Sequence, residues 1–394
     1  MVYILLFCLS IFGFILGSKY QRYEKWIFVS ILLIFSILGA IRYGSGTDYF
    51  AYKYHYDILS PNIMNAIFNV SGTDSSHMDI GFRAIISLCK SIGITYELFI
   101  AILSIVTTGL VGYVIYKNSK LKILSWVLFL GNYYLVYMNS ALRQGLAMCL
   151  FIFAFYEFYK NKKYFLYVIF ILIGTTIHSS CIVGLVVFGI DLLFKYNLDN
   201  RRNNILILGF ACLFTIINIP NLILTFSKLE LFYTLGNINW IPLLVRLCYL
   251  IFIYIFMRLD LNDENNSFKK KEIYIFFIGI IIYIALSRFS IASRVTDYFM
   301  FLEIILLPNL IQSSEKCYQN TFSLYNKKIN LLIHKKNWVF LYTLLVSLLF
   351  LKDLIACTYQ EQYHMHKPWD YTYVTIFNKQ ELYSLRNMES NFPR

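Results

Sequence analysis

Five arginines stand where their chemistry is conspicuous. Arg42, Arg143, Arg288 and Arg294 lie at the margins of long apolar stretches, and Arg246 lies about a turn and a half inside another. A planar guanidinium meets two phosphate oxygens at once, so several of these converging on one cavity would hold a diphosphate. Any one of them alone is as well explained by snorkelling toward lipid headgroups. His178 is the only histidine within an apolar helix pair. It reads either as a capping or packing residue, or as a neutral imidazole that orients or deprotonates a hydroxyl. Gly44-Ser45-Gly46-Thr47-Asp48-Tyr49 follows Arg42 directly. Its glycines permit a tight turn that would bring Asp48 back over the end of the helices. A carboxylate there would be a general base, an acceptor for a sugar hydroxyl, or an arginine partner. Asp79 precedes an amphipathic run and reads as an N-cap. Tyr49, Tyr52, Tyr54 and Tyr56 suit stacking on sugars, and an aromatic belt at a membrane surface explains them equally well.

The elements that must position these residues are helices in lipid. The 394 residues are 58% hydrophobic and 14% charged, against about 25% charged in a soluble domain. Apolar runs near 2–17, 26–41, 97–116, 121–138, 143–159, 164–176, 178–194, 204–220, 241–258, 272–287, 294–312 and 338–356 predict an all-α, polytopic integral membrane bundle. It would have about twelve spans and fill residues 1–356 as one domain. The run 2–17 reads as a first span rather than a cleaved signal. Between the lysines at 160–163 and Lys195 only about 31 residues remain, whereas two spans need about 40. The segment 164–194 is therefore a short-helix pair or a re-entrant hairpin. Its tip, with His178, would sit below the outer surface, where irregular backbone needs protein or a wet cavity around it.

Alternate connections carry about 21 of the 35 Lys and Arg residues. Placing these connections in the cytoplasm puts both termini outside. The long outer loops are then 42–96, with an interfacial helix over Asp79–Ile94, and 221–240. The aromatic tail 357–394 is extracytoplasmic as well. The formal charge of +13 is spread over these anchors, with no basic stripe for nucleic acid. The other histidines and the eight cysteines lack metal-ligand or disulfide spacing. No metal and no cofactor is expected, and no nucleotide-binding loop is present.

Several segments, in order, resemble the EpsG-like, Wzy-type polysaccharide polymerases. Ile41-Arg42-Tyr43-Gly44-Ser45-Gly46-Thr47-Asp48-Tyr49 resembles their element after the second span. Asn139-Ser140-Ala141-Leu142-Arg143-Gln144-Gly145-Leu146-Ala147 resembles their R-Q-x-x-A helix start, and Ile177-His178-Ser179-Ser180 their F-H-x-S element, with Ile for Phe. Ser293-Arg294 and Tyr298 stand where the family has a late Arg and Tyr. The resemblance implies a GT-C-like bundle in the bacterial cytoplasmic (inner) membrane. It implies transfer of a growing glycan from undecaprenyl diphosphate to the non-reducing end of a new lipid-linked repeat unit, on the outer face. On that reading His178, Asp48 and Arg143 are catalytic. Arg42, Arg288, Arg294, Arg246, Gln144, Tyr49 and Tyr298 bind diphosphate or glycan, without a metal. The partners would be the lipid-linked oligosaccharides, the bilayer and a chain-length regulator. The rival readings are an O-antigen ligase-type transferase, a flippase or transporter of lipid-linked sugars, which needs charge along its whole path, and a membrane acyltransferase.

Overall fold

The computed structural model describes residues 2–46, 48–68, 78–195, 240, 243–249, 267–287, 289, 292–313, 322–324, 327–329, 335–360 and 373–379. Their regular elements are helices apart from one antiparallel hairpin, β1 (Phe322–Leu324) and β2 (Lys327–Ile329), in which Phe322 faces Ile329. The chain divides into two compact units, Met1–Ser179 with Lys336–Arg394, and Ser180–Lys335.

In the first unit α1 (Val2–Lys19) and α2 (Glu24–Ile41) form a hairpin through a 3-10 turn. Three short helices follow: α3 (Tyr49–Ile58), α4 (Ile63–Phe68) and α5 (Ile80–Ser91). The long α6 (Tyr96–Asn118) starts at Thr95, whose side chain accepts from the Leu98 N–H at 3.4 Å. It lies along α2, and Ser36 and Thr108 share a 2.9 Å hydrogen bond between the two helices. Next, α7 (Lys122–Phe129) is buried on all sides and passes straight into a π-helical segment, Leu130–Ser140. In turn α8 (Leu142–Ala154) runs on into a π-helical turn, Phe155–Tyr159, before α9 (Tyr164–Ile177) packs back along α8. The helix Lys335–Gln360 returns to this unit, where Phe350 stacks on Phe7 at 4.2 Å. Residues 373–379 end beside the start of the motif loop. The Tyr43 N–H donates to the Val374 carbonyl, the Ile376 N–H to the Ile41 carbonyl, and Lys379 pairs with Glu97 at 2.6 Å.

Lipid accounts for what this packing leaves uncovered. The α2 span has a mean hydropathy of 2.0, yet only 22% of it is buried in protein. Leu5, Phe12 and Ile15 of α1, with Leu33 and Ile37 of α2, stay more than half exposed. Such stripes are tolerated against acyl chains and not against water. Among the described residues four helices are long and apolar enough to cross a membrane: Val2–Lys19, Gln21–Ile41, Tyr96–Asn118 and Ala292–Gln312. The expected twelve spans are thus not what the described helices give. The runs at 121–138 and 143–159 change helical geometry part way, and α9 has 14 residues. The run at 204–220 and the loop at 221–239 lie outside the described residues.

Past His178, Ser179–Leu185 is 3-10 helical and leads into α10 (Val186–Lys195), so 164–194 is a pair of short helices. The second unit packs α10 against α11 (Ser267–Leu286), and Lys271 pairs with Asp191 between them. A turn joins α12 (Ala292–Met300) to α13 (Glu303–Ser313), and α12 lies close along α11. The helical residues 243–249 meet α11 through the edge contact of Tyr249 with Phe276. Among the described cysteines Cys8, Cys89, Cys149 and Cys248 are free.

Candidate functional site

Three helix ends of the first unit bring polar side chains together. The first is set by the break after the π-helical segment. The ladder stops at Ser140, Ala141 turns out of helical geometry (φ −80°, ψ 63°), and Leu142 begins α8 with Arg143 in its first turn. The carbonyls at such a broken end need donors. Arg42 supplies them, its Nη1 donating to Asn139 at 2.9 Å and to Ser45 at 2.8 Å, its Nη2 to Met138 at 3.1 Å. Gly46, at φ +110°, lets the motif loop lie on this break; a Cβ there would fall 2.0 Å from the Asn139 oxygen. Tyr3 completes the clamp, accepting from the Asn139 amide at 2.9 Å and bonding to the Ser45 hydroxyl at 2.7 Å.

The second end is the start of α5. Gly81 allows it to press on the end of α9, since a Cβ would meet the Thr176 hydroxyl at 2.3 Å and its backbone carbon at 2.8 Å. Asp79 occupies the cap position, but its side chain makes no capping bond. The carboxylate turns instead to Arg143, with Oδ2 3.1 Å from Nη1. The third end is that of α9, where His178 takes an extended conformation while its N–H still donates to the Gly174 carbonyl at 2.8 Å. Its Nδ1 stands 3.6 Å from the same Asp79 oxygen, longer than a hydrogen bond. Both imidazole nitrogens are buried without a hydrogen-bond partner.

Burial of the Asp79 carboxyl favours its neutral form. The neighbouring His178 imidazole, the Arg143 charge and the Ser179 backbone outweigh that and hold its pKa below the usual carboxylate range. Asp79 is therefore ionised at neutral pH and neutralises Arg143. Beside Arg143, burial pushes the Tyr52 phenol up; the Arg143 guanidinium opposes the shift and the Asp48 carboxylate adds to it. The cluster can orient an imidazole against a carboxylate and offer the remaining guanidinium edge to an anion.

The residues singled out in the sequence divide accordingly. Arg143 and His178 meet, through Asp79. Asp48 is exposed at the start of α3, within electrostatic reach of Tyr52. Two others are engaged within the packing. The Arg42 forks are taken by backbone carbonyls, and Tyr49 is fully buried against Tyr43, Phe50 and Tyr96, whose hydroxyl donates to the Tyr49 carbonyl at 2.6 Å. Gln144 is buried beside Arg143 on α8. Arg288 lies outside the described residues.

In the second unit, Arg246 donates through Nη2 to Asp297 at 2.8 Å and stacks 3.6 Å above the Tyr283 ring. Arg294 is exposed in the first turn of α12, and Tyr298 is fully buried one turn further on. Sequence reasoning missed Asp297 and Tyr283, and it gave Asp79 only a capping role. The one available signal for Asp79 was the glycine two residues on, which close helix packing requires. No group of three or more His, Cys, Asp or Glu able to hold a metal occurs among the described residues.

A family model described as the EpsG family matches residues 25–326. No curated protein and no solved structure matches the chain.

Proposed function

Because this chain belongs to the EpsG family, we propose that it is a polysaccharide polymerase, a membrane glycosyltransferase that joins lipid-diphosphate-linked repeat units. The observation that carries the reading is the meeting of Arg143, Asp79 and His178 at three helix ends. Asp79 steadies the imidazole with the Nδ1 proton toward its carboxylate, which leaves Nε2 as the base. An acceptor hydroxyl attacks the anomeric carbon of the donor glycan and its proton passes to Nε2. The bond from that carbon to the diphosphate oxygen breaks, and the lipid diphosphate leaves with the electron pair. Arg143 stabilises the charge growing on that leaving oxygen, and two long glycans held together supply proximity. Asp48 is the second candidate for the base, with Tyr52 between it and Arg143.

The placement along the helices supports an outer-face reaction. Lys117 bonds Glu157 at 2.6 Å and Lys160 bonds Asn118 at 3.0 Å, so the end of α6 lies beside the lysine-rich turn that follows α8. His178 is at the other end of α9, about 20 Å away at helical rise. The hydrocarbon core is about 30 Å thick. With the lysines cytoplasmic, His178 sits some 10 Å beneath the outer surface, in reach of a lipid-borne donor arriving sideways. The about twelve spans, the inner-membrane location and the extracytoplasmic termini belong to this same proposal.

The test is the glycolipid profile of a deletion strain complemented with wild type, Arg143→Ala or His178→Ala. The expected result is a long ladder with wild type and single repeat units outside the membrane with either variant at wild-type protein level. A wild-type ladder from both variants would overturn the reading. Repeat units stranded inside would instead favour a flippase.

A further inference from the structure

The inward face of α5 carries Phe82, Arg83, Ile86 and Ser87, all buried. Arg83 is 7% exposed and Ser87 fully buried. Among the described residues no carboxylate pairs with Arg83, and neither its Nε nor the Ser87 hydroxyl has a hydrogen-bond partner. The two are one helical turn apart, so they are neighbours on one face. A buried cation without a counter-charge is costly, and water can satisfy its N–H groups but not its charge. The nearest carboxylate in sequence, Asp79, sits one turn before Arg83 and is already engaged by Arg143 and His178. Arg143 and Asp79 cancel, and among the described residues Arg83 is left without a carboxylate to balance it.

From this juxtaposition we infer, on the polymerase reading, that Arg83 and Ser87 form the seat of the lipid-linked substrate's diphosphate. Phosphate oxygens accept from both donors and supply the missing negative charge. The opposite side leaves Leu88, and Ile92 at the helix end, more than half exposed. A helix that is apolar outward and cationic inward suits a ligand whose chain stays in lipid while its head enters the protein. In this arrangement Arg83 anchors the diphosphate, and Arg143 is left to respond to charge that develops in the reaction.

The test is titration of the purified full chain in nanodiscs with undecaprenyl diphosphate, comparing wild type, Arg83→Met, Arg83→Lys and Ser87→Ala. Discs of neutral phosphatidylcholine are compared with discs containing phosphatidylglycerol. In neutral discs Arg83→Met should weaken binding at least about tenfold, equivalent to about 1.4 kcal/mol. Its melting temperature without ligand should equal or exceed that of wild type, because an unpaired buried charge has been removed. Arg83→Lys should keep part of the affinity, and Ser87→Ala should lose less than Arg83→Met. Unchanged affinity in Arg83→Met overturns the inference. So does a loss of affinity accompanied by a lower melting temperature, because a structural role then explains it. If phosphatidylglycerol abolishes the difference between wild type and Arg83→Met, the seat belongs to a phospholipid headgroup and the inference fails in that form. Binding is read without turnover, so these outcomes are independent of the glycolipid ladder that decides the polymerase reading.

Discussion

Each of the two units solves the problem of an arginine in an apolar helical setting with an aspartate, and they do so differently. Arg246 and Asp297 are nearly closed off, at 11% and 12% side-chain exposure, and the guanidinium is pinned on the Tyr283 ring. In the first unit Arg143 and Asp79 are more open, at 27% and 22%, and one carboxylate oxygen is shared between a guanidinium and an imidazole. The tight pair is closed off and seated on an aromatic ring, which suits a fixed strut. The shared carboxylate can be redistributed when a proton or an anion arrives, which suits chemistry. A buried arginine alone is therefore a poor sign of a site; what surrounds its carboxylate decides.

The comparison is broken most sharply by removing the base. His178→Ala should lower the polymerisation rate by about 10²- to 10⁴-fold while leaving the amount of folded protein unchanged, as measured by product formed per molecule in membranes. Arg246→Ala should do the reverse. Stranding Asp297 should cost about 3 kcal/mol and show as low yield and early unfolding in detergent. The double change Arg246→Met with Asp297→Leu should recover most of that yield, which sharpens the claim that this pair is a strut.

A subtler difference lies in pH. The Asp79 pKa is depressed in the folded protein, so its stabilising contribution is complete above the unfolded value of about 3.9. That contribution is lost only as pH falls through the lower folded value. The stability gap between wild type and Asp79→Asn should then close in strong acid. Thermal unfolding with the pH carried down through the acid range checks it, and a gap that persists undiminished there would mean Asp79 is not held ionised in the folded protein. Smallest of all, Lys379→Ala should cost at most about 1 kcal/mol, because its pair with Glu97 is partly exposed; unfolding of the purified protein reads this.

Much of this could be read from the residues, and the parts that could not have physical reasons. Arg143 and His178 stand out because polar groups in apolar runs are expensive. The short helices around His178 follow from counting residues between lysines. Asp79 was hidden because a cap position accounts for an aspartate completely, and its real partner is 64 residues away. For Arg42 the structure adds what the residues alone do not show. Its forks are filled by carbonyls freed where a π-helical segment ends, and no periodicity announces such a break. Arg83 lies in a stretch that reads as loop and interfacial helix, where a charged side chain is assumed to face water. Tyr49 reads equally as a sugar platform or a belt residue, and it is buried in the packing, because platforms, belts and cores draw on the same aromatic residues.

The central claim is that the Asp79 cluster carries the reaction and the Arg246–Asp297 pair does not. Its most direct test is one gel: the glycolipid ladders of a deletion strain complemented with Asp79→Asn or with the Arg246→Met, Asp297→Leu double variant, each normalised to folded protein. The account predicts that Asp79→Asn collapses the ladder toward single repeat units while the double variant keeps chains of wild-type length. A full ladder from Asp79→Asn together with collapse in the double variant would contradict it and move the chemistry to the second unit.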